Sequence, residues 1–118
     1  MKTHKDLDVW KKSVDFVVNI YRITSKFPKE EIYGITSQIR RASVSIPSNS
    51  AEGAGRNSDK EFLYFLSIAL GSIAEIDTQL LISKKLNFMA ELEYENSLID
   101  LIEIRKMILG LRKYINGK

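Results

Sequence analysis

The sequence predicts an all-α chain, an antiparallel four-helix bundle in up-down-up-down order, and three observations predict it. Apolar residues recur at three-four spacing with no strand-like alternation. The two prolines and six glycines fall where helices should end or bend. Connections between the periodic segments are short, so consecutive helices should pack antiparallel. A chain of 118 residues is one domain, long enough to bury roughly 65% of its unfolded surface without a metal or disulfide staple.

The first helix begins near Asp6 or Asp8 and carries Leu7, Trp10, Val14, Val17 and Tyr21 on one stripe. Phe27-Pro28 ends it, because proline disfavours helical backbone in the residue before it. Val9, Phe16, Ile20 and Ile23 form a second stripe, more apolar face than one bundle seam needs, which points to burial against another subunit.

The second helix starts between Glu30 and Thr36, near Gly34, and carries Ile32, Ile35, Ile39, Ala42 and Ile46. It should end at Gly53 or Gly55. Pro47 forfeits the bond to the Ser43 carbonyl, so a kink is expected in which nearby serines satisfy the freed group. Gln38, Arg41, Ser45, Asn49 and Glu52 make a polar stripe, read as a hydrogen-bonded seam between helices.

Ser58-Asp59-Lys60-Glu61 is a capping box and opens the third helix. Phe62, Phe65, Leu66, Ala69, Ile73, Ile76 and Leu80 should face the core, while Ser67, Gly71, Ala74 and Thr78 form a small-residue stripe suited to close helix approach. Asn87 is the expected stop. The fourth helix runs from about Ala90 to Ile115, with Leu101, Ile104, Ile108, Leu111 and Ile115 on its core stripe. Its acids precede its bases, an order that complements the helix dipole.

The composition excludes several kinds of chemistry. With no cysteine there is no disulfide, thiol nucleophile or thiolate metal site, and with no signal-like N-terminus the expected location is the cytoplasm. No apolar run of membrane-spanning length is read, so no membrane partner is expected. His4 is the only histidine and lies in an N-terminus expected to fray, which excludes a di-metal carboxylate-histidine centre and a serine-histidine triad. Gly53-Ala54-Gly55 lacks the preceding strand of a phosphate loop. Glu52, Glu75 and Asp77 are read as structural carboxylates over catalytic ones. No enzyme activity, cofactor or metal is expected. Trp10, Tyr21, Phe62 and Phe65 are read mainly as core, leaving Tyr64 as the exposed ring.

The net charge is +3. Antiparallel packing would bring the start of the first helix, the end of the second, the start of the third and the end of the fourth together. That end collects eleven bases against five acids, a net +6, whereas the opposite end balances. Lys11, Lys12, Arg56, Lys60, Arg105, Lys106, Arg112 and Lys113 are the candidate phosphate contacts. The same lysines could equally keep a bundle end solvated.

Gln38-Ile39-Arg40-Arg41-Ala42, the block from Ser45-Ile46-Pro47-Ser48-Asn49 to Ser50-Ala51-Glu52-Gly53, and Phe65-Leu66 with Ala69, Gly71-Ser72 and Glu75 resemble a known family. It is the bacterial four-helix bundle family named for proteins encoded in intervening sequences of 23S ribosomal RNA genes. The resemblance extends from Leu7-Asp8-Val9-Trp10 into the fourth helix, with Ser50 standing where the family is usually aliphatic. It implies a ring-like homopentamer related to the accessory variability protein of diversity-generating retroelements, a relative thought to bind nucleic acid and a reverse transcriptase. The function expected is therefore a non-enzymatic nucleic-acid-binding assembly, RNA favoured. The alternative is a protein-interaction scaffold that holds a partner enzyme and touches little nucleic acid.

Overall fold

The computed structural model describes residues 3–118. Its long helices are α1 (Asp8–Thr24), α2 (Ile35–Ala54), α3 (Asp59–Lys85) and α4 (Glu91–Asn116), with single 3-10 turns at His4–Asp6 and Lys29–Glu31. Sequence neighbours pack against one another and α1 closes the ring on α4, giving a bundle 46 Å long and 23 by 20 Å across. The core runs along the axis from Val9 through Phe16, Ile39, Leu66, Ile76, Leu101 and Ile108.

The inner face of α1 is the reverse of the expected one. Val9, Phe16, Ile20 and Ile23 are buried in the chain's own core, while Leu7, Trp10, Val14 and Val17 are only half-buried and Tyr21 is 43% exposed. Both stripes have helical spacing, so periodicity could count them but not say which one meets the other three helices. The N-terminal turn is also ordered: the Thr3 hydroxyl accepts from the Lys5 amide, the Asp6 carboxylate accepts from that of Thr3, and His4 packs edge-on against Trp10 at 5.1 Å.

Ile32 lies before α2, half exposed, because the helix begins only at Ile35, where the Glu31 carboxylate accepts the Ile35 amide at 3.4 Å. The helix then runs unbroken through Pro47. No hydroxyl among the described residues reaches the Ser43 carbonyl. A helical serine bonds back three or four residues, and the positions that would reach Ser43 are Ile46 and Pro47 themselves. The Ser43 hydroxyl donates instead to the Arg40 carbonyl, and the fully buried Ser50 donates to that of Ile46, so both are satisfied within their own helix.

The polar stripe of α2 forms a seam in its middle, while Gln38 and Glu52 at its ends are exposed and do not bond α3. Ser72 of α3 donates to the Ser45 hydroxyl at 2.8 Å, Asn49 donates to both the hydroxyl and the carbonyl of Ser45 at 2.8 Å, and Arg41 pairs with Glu75. Gly53 lies where α2 meets the first turns of α3.

The start of α3 is capped as expected on one side: the Ser58 hydroxyl accepts the Glu61 amide at 3.1 Å. No return bond from the Glu61 carboxylate is formed among the described residues. The stripe of Ser67, Gly71, Ala74 and Thr78 is solvent-facing and brings no helix close, since nothing lies within 4 Å of where a Gly71 Cβ would stand. The close approach falls instead on Ala69, Ser72 and Gly53. Also against expectation, α3 is long and apolar enough to cross a membrane by length and composition, with a mean hydropathy of 1.5 over 18 residues. Small neutral residues such as Gly71, Ser72 and Ala74 dilute its charge. In the bundle, its Leu66, Ala69, Ile73, Ile76 and Leu80 are buried.

Asn87 ends α3 in the left-handed region, at φ 61°. The Phe88 amide donates to the Ser83 carbonyl and the Asn87 amide to that of Lys84, closing a Schellman motif. Asn87→Gly should therefore raise stability by about 0.5 kcal/mol, and Asn87→Val should lower it by about 1–2 kcal/mol. Urea melts of the two variants check the opposite signs.

Candidate nucleic-acid interface

The antiparallel order juxtaposes the four helix ends as the sequence suggests. Lys118 reaches Asp59 at 3.7 Å, tying the end of α4 to the start of α3, and Leu7 and Val9 of α1 share a cleft with Met107 and Leu111 of α4. Lys2 lies outside the described residues.

The candidate cations divide into two groups. Lys12 turns towards Asp100 and Glu103 on α4, at 3.6 and 3.8 Å. Arg56 pairs with Glu52 one turn back and lies over the Phe65 ring at 5.1 Å. Arg112 is half-buried, and its Nε is buried without a hydrogen-bond partner. These three are partly committed within the chain. Lys11, Lys60, Arg105, Lys106 and Lys113 are exposed and make no ion pair among the described residues. They come from three different helices, so only the packing of helix ends places them on one half of the molecule.

The opposite end is neutralised in part, with Arg22, Lys29 and Lys85 exposed and in no ion pair among the described residues. Lys26 pairs with Glu93 at 2.8 Å and Lys84 with Glu91 at 3.1 Å. Glu93 also accepts the Ala90 amide at 3.1 Å, as the third residue of α4 reaching back to its cap. The Lys26 ammonium, with the Ala90 amide second, holds the Glu93 carboxyl below the usual carboxylate range.

The carboxylates weighed for chemistry are engaged with arginines, Glu52 with Arg56 and Glu75 with Arg41, while Asp77 is exposed. Among the described residues no cluster of three histidines or carboxylates could hold a metal. Tyr64 is exposed and sits edge-on to Phe65 at 5.3 Å. Tyr21 is exposed too, with the Arg40 guanidinium 4.6 Å from its ring centre. Sequence reasoning passed over Tyr114, an exposed ring beside Lys118. Its position one residue before the core residue Ile115, off the buried stripe, was the available signal.

A family model described as 23S rRNA-intervening sequence protein matches residues 5–110. A search of curated proteins found no match. Among solved structures, the chain is similar to a protein of unknown function from the S23 ribosomal protein family of Bacteroides thetaiotaomicron VPI-5482. The two share 27% identity with a TM-score of 0.80, over 89% of this chain and 98% of that one.

Proposed function

This chain belongs to the 23S rRNA-intervening sequence protein family, and from that premise we propose that it is a non-enzymatic, self-associating bundle that holds RNA through the cations at one end. The observation that carries this reading is the contrast between the two ends. At one end Glu93 and Glu91 take up Lys26 and Lys84 and acids equal bases in number, although Arg22, Lys29 and Lys85 stay unpaired among the described residues. At the other, bases outnumber acids, and Lys11, Lys60, Arg105, Lys106 and Lys113 have no such partner among the described residues. Unpaired surface cations attract polyphosphate and release its counterions. Their scatter over three helices offers no recognition element for a groove, so binding follows backbone charge and not base sequence.

Self-association supports the reading because one bundle end makes few contacts, and repetition raises avidity without any new contact. The exposed Tyr21 and Val18 of α1 and Leu92, Ile99 and Ile102 of α4 leave apolar surface for a second copy. Light scattering at micromolar concentration should report a closed oligomer, five subunits being the number the family resemblance implies. A monomer at every concentration would remove this part of the proposal.

RNA retention on the purified oligomer should fall steeply as salt rises, with a logarithmic slope of about 0.7–0.9 per phosphate contact. The second reading, a scaffold that docks a partner through its apolar face, predicts little salt dependence and no retention of RNA.

A further inference from the structure

We propose that the end of the bundle away from these cations holds a small-molecule site, in a cavity between the end of α1 and the start of α2, for a carboxylate carried on a short apolar body. The cavity measures about 270 Å³ and is lined by Phe27, Pro28, Ile32, Thr36 and Arg40 among others. That volume is just below the range of ordinary ligand pockets and suits a molecule of about ten heavy atoms.

Three observations meet at this place. Thr36 is 2% exposed, and its hydroxyl has no hydrogen-bond partner. Other buried hydroxyls, those of Ser43, Ser50 and Ser83, donate to a carbonyl of their own helix, and besides Thr36 only that of Ser97, on α4 and away from this cavity, is buried without a partner among the described residues. An orphaned hydroxyl costs stability unless something else satisfies it. Arg40 is half-buried and makes no ion pair among the described residues. It is nevertheless held firmly: its Nε donates to the Thr24 hydroxyl at 2.9 Å, that hydroxyl donates to the Ile20 carbonyl at 2.7 Å, and its guanidinium lies against Tyr21. A fixed guanidinium whose Nε is already engaged keeps its terminal nitrogens for an oxyanion. Finally, α2 begins here with no acidic residue inside its first turn, and of its first amides only that of Ile35 is met by a carboxylate, from Glu31.

No acid lines the cavity beside Arg40. Glu31 turns its carboxylate onto the Ile35 amide, and neither it nor Glu30 lines the cavity. Lys29, also on the lining, adds a second cation at the mouth. One guanidinium, one hydroxyl and one ammonium satisfy the oxygens of a carboxylate. The phosphate of a nucleotide would ask for more donors than this and would leave the Phe27, Pro28 and Ile32 walls against a polar sugar. The apolar walls instead accept an aryl or branched alkyl group. This site is independent of RNA binding, since none of its residues belongs to the cationic end.

The test uses the full chain and benzoate as probe, followed by amide NMR shifts. Benzoate at millimolar concentration should move the amides of Ile32, Thr36 and Arg40 in a saturable way, while benzamide and inorganic phosphate should not. Arg40→Gln should weaken benzoate at least tenfold. Because Arg40 also braces Thr24 and Tyr21, a second variant guards against a folding defect: Ile32→Glu, at a side chain already 47% exposed, should repel benzoate to a similar degree without touching the core. Thr36→Val should weaken binding by a factor of a few. The proposal fails if benzoate shifts amides on scattered lysines instead, if benzamide binds as well as benzoate, if phosphate displaces benzoate, or if Ile32→Glu binds as the parent does.

Discussion

Reversing Lys11, Lys60, Arg105 and Lys113 together to glutamate should cut RNA retention at low salt by at least about a hundredfold. Each of the four is exposed and unpaired among the described residues, so each substitution removes a cation and adds a repelling anion without breaking an ion pair. The fold should survive. A glutamate at 113 opposes the dipole at the end of α4 by roughly 0.3–1 kcal/mol, but one at 60 complements the start of α3 by a similar amount. Helicity, melting temperature and oligomer size should therefore stay close to those of the parent. Arg56 and Arg112 are poorer targets than their place in the sequence suggests, because one is bound to Glu52 and the other is half-buried. Reversing Arg22, Lys29 and Lys85 at the opposite end, which are likewise exposed and in no ion pair among the described residues, is the control and should leave retention unchanged. A gel shift in which both reversed proteins behave alike would show that local charge at the first end is not what holds RNA, and the scaffold reading would take its place.

Gly53→Ala should destabilise the bundle by about 1–3 kcal/mol, even though alanine favours helix over glycine by about 1 kcal/mol. A Cβ at this position would stand 2.9 Å from Phe62 Cδ1, 3.0 Å from Phe65 Cβ and 3.3 Å from the Phe62 carbonyl oxygen. The Phe62 ring can rotate by a few degrees. The Phe65 Cβ and the backbone oxygen can move only if α2 and α3 separate. Gly53→Val should cost more, since a second carbon meets the same wall. Gly71→Ala is the control: nothing lies within 4 Å of its Cβ, so the helix-propensity gain should appear undiminished. Thermal melts of the three variants should order as Gly71→Ala above parent, then Gly53→Ala, then Gly53→Val. A melting temperature for Gly53→Ala equal to or above that of the parent would mean that the α2–α3 contact yields easily.

Local signals in the sequence settled what local physics controls. The four helices, their order and most of their ends were legible because three-four spacing, Ser58, Asn87 and the Phe27-Pro28 break each act within one or two turns. The polar seam was legible for the same reason, since Arg41, Ser45 and Asn49 share a face of one helix. Two short-range details were misjudged: no serine lies three or four residues after Ser43, and Ile32, read as part of the α2 stripe, precedes the helix, which begins at Ile35 within the expected range.

Only the tertiary structure decided which of two equally periodic stripes on α1 points inward, because that choice depends on the faces offered by three other helices. It also decided that Gly53, and not Gly71, is the glycine at a tight crossing, since glycine at helical spacing looks the same wherever it falls. At the cationic end, sequence counted the charges and placed their helix ends. Packing alone determined that Lys12 is taken up by carboxylates of α4 while Lys11, Lys60 and Lys113 are not; the Arg56–Glu52 pair, four residues apart, is local. The cavity beside Arg40 left no sequence signal at all: it exists because the ends of α1 and α2 diverge around Pro28, and an unpartnered hydroxyl is a property of surroundings and not of a residue type.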